Sequence, residues 1–186
     1  MQGSILRLAP IALAFLATAA SAAEAPAAGS SLTFEAEIGV VSDYRFRGQS
    51  LSGGDPALQG GLTVSHASGV YANVWSSTIE EYGAGADGRG AKVEVDAVLG
   101  WAGAVGGLDI DASAQLYAYP GGSHVNYVEF PMTVSRQDGD WRWTLGAAYA
   151  PSQRALGHED NAYGWGALAW GGDDSPVRVE LRAGYE

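Results

Sequence analysis

The chain contains no cysteine. That excludes a disulfide framework, a thiolate zinc site and a lipid-anchored N-terminal cysteine. Basic residues are scarce: 10 Lys and Arg stand against 21 Asp and Glu in 186 residues, a formal net charge of −11. So acidic a chain has little with which to neutralise phosphates, so nucleic acid is excluded as a partner. Beyond the first two dozen residues no apolar run approaches the ~20 residues of a membrane-spanning helix. A helical period of useful length is also lacking. What the chain has in quantity is glycine, 27 residues, and tryptophan, 6, with 47% apolar residues. That composition is too apolar for a disordered chain and suits one domain of turn-rich β structure.

Arg7 precedes an apolar run over residues 8–20. Ala20-Ser21-Ala22, or Ser21-Ala22-Ala23 one step later, supplies the small-x-small pattern of a cleavage site. Residues 1–23 therefore read as a secretory signal peptide, 24–31 as a flexible leader and 32–186 as the folded domain. An exported chain with neither cysteine nor anchor helix is periplasmic, secreted or an outer-membrane barrel.

From residue 32 to residue 47 the period is two. Leu32, Phe34, Ala36, Ile38, Val40, Tyr44 and Phe46 form one face, broken only by Ser42, and Thr33, Glu35, Glu37, Asp43, Arg45 and Arg47 mark the other. Such alternation belongs to a strand whose faces meet different solvents. The same pattern returns around Val93–Trp101, Leu108–Ala118, Val128–Val134, Trp141–Tyr149 and Val177–Tyr185, and more weakly over 56–66, 69–79 and 161–170. The sequence thus predicts nine strands of an antiparallel, all-β, up-and-down transmembrane barrel. Bacterial single-chain barrels have an even number, so the chain is expected to lack its last strand or strands. It also ends on Gly184-Tyr185-Glu186 rather than on an aromatic residue.

The links between these segments alternate in length. Those at 67–68, 102–106, 136–139 and 171–175 are short; those at 48–55, 80–91 and 151–160 are long, and 120–125 is intermediate. Short periplasmic turns and longer external loops are the rule in outer-membrane barrels. Aromatic residues cluster at strand ends, as interfacial belts require. Trp101, Trp141, Trp143 and Trp170 are expected near the periplasmic rim, and Phe34 at a membrane interface. Tyr44, Phe46, Tyr117, Tyr119, Tyr149 and Tyr163 are expected near the outer one.

One string is distinctive: Ser42-Asp43-Tyr44-Arg45-Phe46-Arg47-Gly48-Gln49-Ser50. It is followed by Pro56-Ala57-Leu58-Gln59-Gly60-Gly61, Gly69-Val70-Tyr71-Ala72-Asn73-Val74-Trp75, Glu94-Val95-Asp96, Tyr117-Ala118-Tyr119-Pro120, Asn126-Tyr127-Val128-Glu129 and Tyr149-Ala150-Pro151. In this order, over about residues 32–185, the chain resembles the TorF family of porin-type outer-membrane proteins of proteobacteria. The resemblance implies an outer-membrane β-barrel of a Gram-negative bacterium and passive transport. It implies outer-membrane lipid and the barrel-assembly machinery as partners, and brings no catalytic residues.

With the apolar faces toward lipid, the lumen would be lined by Glu35, Glu37, Asp43, Arg45, Arg47, Lys92, Glu94, Asp96, Asp109, Asp111, Glu129, Arg142, Arg178, Glu180 and Arg182. Glu94 and Asp96 are expected roughly across a hairpin from Asp111 and Ser113. A carboxylate-lined lumen favours small solutes or cations. Barrels of ~8–10 strands have interiors filled by side chains, so a plugged structural or adhesion barrel is the alternative. A soluble periplasmic, lipocalin-like ligand-binding barrel is a third reading. Enzymatic readings are weak. Ser65 and Ser68 flank His66 without a third partner, and the His158-Glu159-Asp160 run reads as a solvated loop. Gly83-Ala84-Gly85-Ala86-Asp87-Gly88 precedes a strand, not the helix a nucleotide loop needs. No cofactor, metal site or catalytic residue is expected.

Overall fold

A computed structural model describes residues 20–23, 31–171 and 177–186. Most of the expected signal peptide and leader, and the turn residues Gly172, Asp173 and Asp174, lie outside the described residues. The architecture is one antiparallel meander. Its long strands are β2 (Leu32–Val41), β5 (Ala57–His66), β6 (Val70–Tyr82), β7 (Ala91–Val105), β8 (Leu108–Ala118), β9 (Tyr127–Asp138), β10 (Trp141–Ala150), β11 (Asn161–Trp170) and β12 (Val179–Tyr185). Each pairs with its neighbour in sequence order, and β1 (Ala20–Ala23) lies along the free edge of β2, with Ala20 opposite Ile38 and Ala23 opposite Glu35. A two-stranded hairpin, β3 (Arg45–Phe46) with β4 (Gln49–Ser50), stands apart from the sheet. No helix among the described residues is long and apolar enough to cross a membrane, which says nothing about strands.

All nine expected strands are present, and the sheet is not closed into a barrel. The first strand is shorter than expected. It stops at Val41, where the chain bends at Ser42 and Asp43 and turns back through Arg47 (φ 47°) and Gly48 (φ 85°). Hydrogen bonds from the Tyr44 amide to Ser52 Oγ and from the Leu51 amide to the Tyr44 carbonyl fasten the two arms together. The period of two continues across the break because the small hairpin is itself extended.

Packing is inside out by the standard of a soluble domain. Ile38, Leu99, Leu145 and Leu181 are 61–65% exposed, while Glu94, Glu129 and Asp96 are 1%, 2% and 6% exposed. The buried apolar residues are alanines plus Tyr117 and Tyr119. A soluble monomer rarely leaves a contiguous apolar surface of more than a few hundred Å² uncovered; here the outward face of strand after strand is apolar.

The sheet curls around the β3–β4 hairpin. At about 4.8 Å per strand, a flat sheet would separate β2 from β12 by roughly 38 Å. Yet Arg47, just beyond β2, touches Glu129 on β9, Tyr163 on β11 and Glu186 beyond β12. Close stacking on the concave face needs glycine. The Tyr71 ring lies over Gly100 of β7 and its hydroxyl reaches Asp111 of β8 at 2.9 Å.

The turn joining β5 to β6 generates a stability test. Gly69 has φ 93°, and a Cβ there would run into the Ala102 carbonyl and the Trp101 indole. Gly106 has φ 61° and open space around it. Gly106→Ala is expected to cost about 1 kcal/mol, and Gly69→Ala roughly 3 kcal/mol. Urea titrations of the folded protein, followed by tryptophan fluorescence, measure both.

Candidate functional site

The candidate site is the interior facing the hairpin. Period-two geometry turns Glu94 and Asp96 of β7 and Glu129 of β9 to the same concave face, and the hairpin lowers Tyr44, Phe46 and Arg47 toward them. Arg47 Nη2 donates to both carboxylate oxygens of Glu129 at 2.7 Å, and its Nη1 lies 3.2 Å from Glu186 Oε1. The guanidinium is sandwiched by the Phe46 ring at 4.7 Å and the Tyr163 ring at 4.3 Å. This is a buried, ring-shielded ion pair, the setting that favours arginine over lysine.

Tyrosines fill the space between the charges. Tyr117 stacks on Tyr127 at 4.5 Å, meets Phe46 edge-on and donates to Glu129 Oε2 at 3.3 Å. The Tyr119 hydroxyl donates to Glu94 Oε1 at 3.0 Å, and Gln115 Nε2 donates to Asp96 Oδ2 at 2.9 Å. Tyr44 packs against Trp75 at 5.3 Å. The second oxygens, Glu94 Oε2 and Asp96 Oδ1, are buried with no hydrogen-bond partner.

Register corrects one expectation about these carboxylates. Tyr117 stands opposite Asp96, and Asp111 and Ser113 pair further down with Ala102 and Gly100. Glu94 and Asp96 are therefore not cross-strand neighbours of Asp111 and Ser113.

The other charged residues expected in the lumen divide into distinct groups. Asp43 accepts from Ser50 and Ser52 and pairs with Arg45, whose guanidinium also reaches the Gly48 carbonyl. Toward the short-turn end, Arg142 bridges Asp109 at 3.1 Å, Ser135 and Gln137. Glu35 and Glu37 are exposed near the open edge. Glu37 reaches over Gly61 on the side of Trp75, hence on the concave face. Arg178, Glu180 and Arg182 are exposed on or beside the last strand, with Arg182 stacked on Trp165 at 3.6 Å. Lys92 departs from its expected place. The β6–β7 pairing shifts register between Thr78 and Tyr82, and Lys92 is 74% exposed at the strand end, 3.8 Å from Glu81.

The aromatics require a second correction. Phe34, Trp101, Trp141 and Tyr149 are 36–50% exposed, and Trp143 is half-buried. Tyr44 and Phe46, expected on the outer belt, face the interior because the chain folds inward after Val41. Tyr119 and Tyr163 do the same, and Tyr117, which shares the parity of Asp109 and Asp111, lies inside as well. The Arg47-Gly48 dipeptide, a hairpin signal inside an alternating run, was the available clue. Sequence reading also gave no role to Gln153, whose side chain holds both the amide and the carbonyl of Val128, or to Trp75 and Trp165. His66 Nδ1 lies 2.8 Å from Ser68 Oγ on an exposed turn. At the hairpin's outer flank a cleft of about 250 Å³ is lined by Ser52, Asp55, Thr78 and Glu80, among others.

Two outcomes follow from this geometry. Arg47 and Glu129 side chains are 13% and 3% exposed, so losing either partner strands a buried charge. Arg47→Ala and Glu129→Ala are each expected to cost about 3–5 kcal/mol, and the double variant less than their sum, read from urea midpoints. Hydrogen bonding from the Ser50 hydroxyl, with Arg45 beside it, holds the Asp43 carboxyl below its ordinary range. A carboxyl lowered on folding stabilises fully above its unfolded value of about 3.9, and that contribution fades as pH falls through the lowered value. Wild type should therefore lose more stability than Asp43→Asn between about pH 5 and about pH 2.

No curated protein and no solved structure matches the chain. One family model, described as a bacterial protein of unknown function (Gcw_chp), matches residues 24–186, and on that match the chain belongs to this family.

Proposed function

We propose that this protein is an outer-membrane β-barrel of the TorF porin type, whose narrow, carboxylate-lined lumen passes small cations slowly. One observation carries the reading: large aliphatic residues stand on the exposed face while Glu94, Asp96 and Glu129 are buried. In water that arrangement forfeits about 25 cal/mol for every Å² of apolar surface left uncovered. In a bilayer the same surface is matched to its solvent, and polar side chains belong in the interior. Signal-peptide-like residues 1–23, alternating long and short links and the TorF-like string at 42–50 support the same assignment. The three long links and the intermediate one leave one end of the sheet, and the tight turns at Gly106 and Gly139 leave the other.

Charge supports a cation preference. Arg47 and Arg142 are engaged with Glu129 and Asp109, whereas no Lys or Arg among the described residues pairs with Glu94 or Asp96. The hairpin favours a second reading within the same fold, a structural barrel whose lumen is closed by the Arg47–Glu129 contact. A soluble lipocalin-like barrel would need an apolar interior and a polar exterior, the reverse of the exposures here.

Fractionation followed by planar-bilayer recording tests the proposal. The protein should resist osmotic release, require detergent for extraction and migrate differently on gels before and after heating. Recordings should give a small, cation-preferring conductance, and replacing residues 45–50 with a glycine-serine segment should enlarge it. Silence in both forms would favour the closed structural barrel. Release by osmotic shock, or a large anion-selective conductance, would overturn the proposal.

A further inference from the structure

We propose that Glu94 and Asp96 form a binding station for a single hard divalent cation, of the calcium type, beneath the β3–β4 hairpin. The proposal rests on the cation-passing reading above and names the place where a cation is held.

The observation is a pair of orphaned atoms. Glu94 and Asp96 are 1% and 6% exposed, and each has one carboxylate oxygen satisfied and one bare. Tyr119 occupies Glu94 Oε1 and Gln115 occupies Asp96 Oδ2, so Oε2 and Oδ1 remain. These are the buried, unpartnered side-chain atoms of the described residues. Buried polar atoms are almost always paired, and a bare carboxylate oxygen away from water is among the costliest exceptions.

Residues i and i+2 of a strand point the same way about 6.8 Å apart at the backbone, a gap two acidic side chains close around one ion. None of the ion pairs among the described residues involves either carboxylate. Arg47, carried into the interior by the same hairpin, is bound to Glu129. Two buried negative charges without a counter-ion cost several kcal/mol each, and a bound divalent cation cancels both.

Donor chemistry narrows the choice. The surroundings are the two carboxylates, the phenols of Tyr119 and Tyr44 and the amide of Gln115, with no His or Cys. No group of three or more His, Cys, Asp or Glu gathers among the described residues, so the station has two carboxylates and its remaining ligands are phenol, amide or water oxygens. An all-oxygen set of uneven geometry suits Ca²⁺, which tolerates irregular coordination, better than Mg²⁺ or zinc. With only two carboxylates the affinity falls in the range of open, weakly charged sites, on the order of 10⁻⁴ to 10⁻³ M.

Terbium luminescence on the full-length protein, folded in detergent and verified by its heat-dependent gel shift, tests this. Trp75 stands opposite Asp96 in the register and sits against Tyr44, so excitation of the aromatics should sensitise bound Tb³⁺. The expected result is emission that Ca²⁺ displaces at about millimolar concentration. Glu94→Gln and Asp96→Asn should each weaken it roughly tenfold or more, while Glu159→Gln on an exposed outer loop leaves it unchanged. Should the variants fail to fold, Ca²⁺ must raise the wild-type melting temperature where the same concentration of K⁺ does not. Equal emission from wild type and the Glu94→Gln/Asp96→Asn pair would overturn the proposal. So would a wild-type protein that neither binds Tb³⁺ nor gains stability from Ca²⁺, or whose infrared spectrum holds a protonated-carboxyl band that Ca²⁺ leaves in place. Binding is read in solution and fractionation in the cell, so a soluble protein that binds Tb³⁺ sinks the barrel reading alone. A membrane protein that does not bind it sinks only the cation station.

Discussion

A sheet that hides carboxylates and shows its leucines must satisfy the hidden charges from within. Bulk water cannot reach Glu129 at 2% exposure, and lipid would offer it nothing. Arg47 supplies the answer, with two contacts to the carboxylate and a ring on each side of the guanidinium. To deliver that arginine the chain must leave the sheet after Val41, turn sharply and lie across the concave face. The short first strand, the inward tyrosines and the curl of the sheet are consequences of that single requirement. Once the hairpin is seated, Phe46 packs on Tyr117 and Tyr44 on Trp75, so the interior is filled by aromatic rings that keep a polar tip for the carboxylates.

The same requirement explains why the buried residues are so unlike a soluble core. Dispersion and hydrophobic burial normally come from aliphatic side chains pointing inward. Here those side chains point outward, and the interior is held by charge-assisted hydrogen bonds, stacked tyrosines and small alanines. Interactions of this kind are directional and strong when dry. They are also intolerant of a missing partner, which is what distinguishes the Arg47–Glu129 end of the interior from the Glu94–Asp96 end. One has its counter-ion built into the chain; the other does not.

How much of this was legible in the sequence follows from what alternation can encode. Period two reports which face a residue occupies, so the inward parity of Glu37, Glu94, Asp96, Glu129 and Arg142 and the outward parity of Phe34, Ile38, Leu99 and Leu116 were readable, and the nine long strands with them. Alternation does not report where a strand leaves the sheet, because an extended hairpin has the same period. Tyr44 and Phe46 were therefore placed on the outer belt and lie inside. It does not report bulges either, such as the register shift between Thr78 and Tyr82 in the β6–β7 pairing. Nor does it report cross-strand register, which turn length sets; β7 runs on to Val105, several residues past the expected end, and so Tyr117 rather than Asp111 faces Asp96.

Closure imposes the last constraint. Backbone groups left unpaired in hydrocarbon each cost several kcal/mol, so a sheet in a bilayer must join its edges. In a strict meander of nine strands β2 and β12 run in the same direction, and joining them directly would make the one parallel pair of the ring. A tenth strand running the other way would keep every pair antiparallel. Four residues already occupy that position along β2, Ala20–Ala23, antiparallel and in register with Glu35–Ile38. These are also the residues on which the cleavage pattern falls. Were cleavage to fall there, as the proposed export requires, edge pairing and cleavage would compete for the same backbone, and whichever strand took over that edge of β2 would have to carry the hydrogen bonds that Ala20–Ala23 make in this structure.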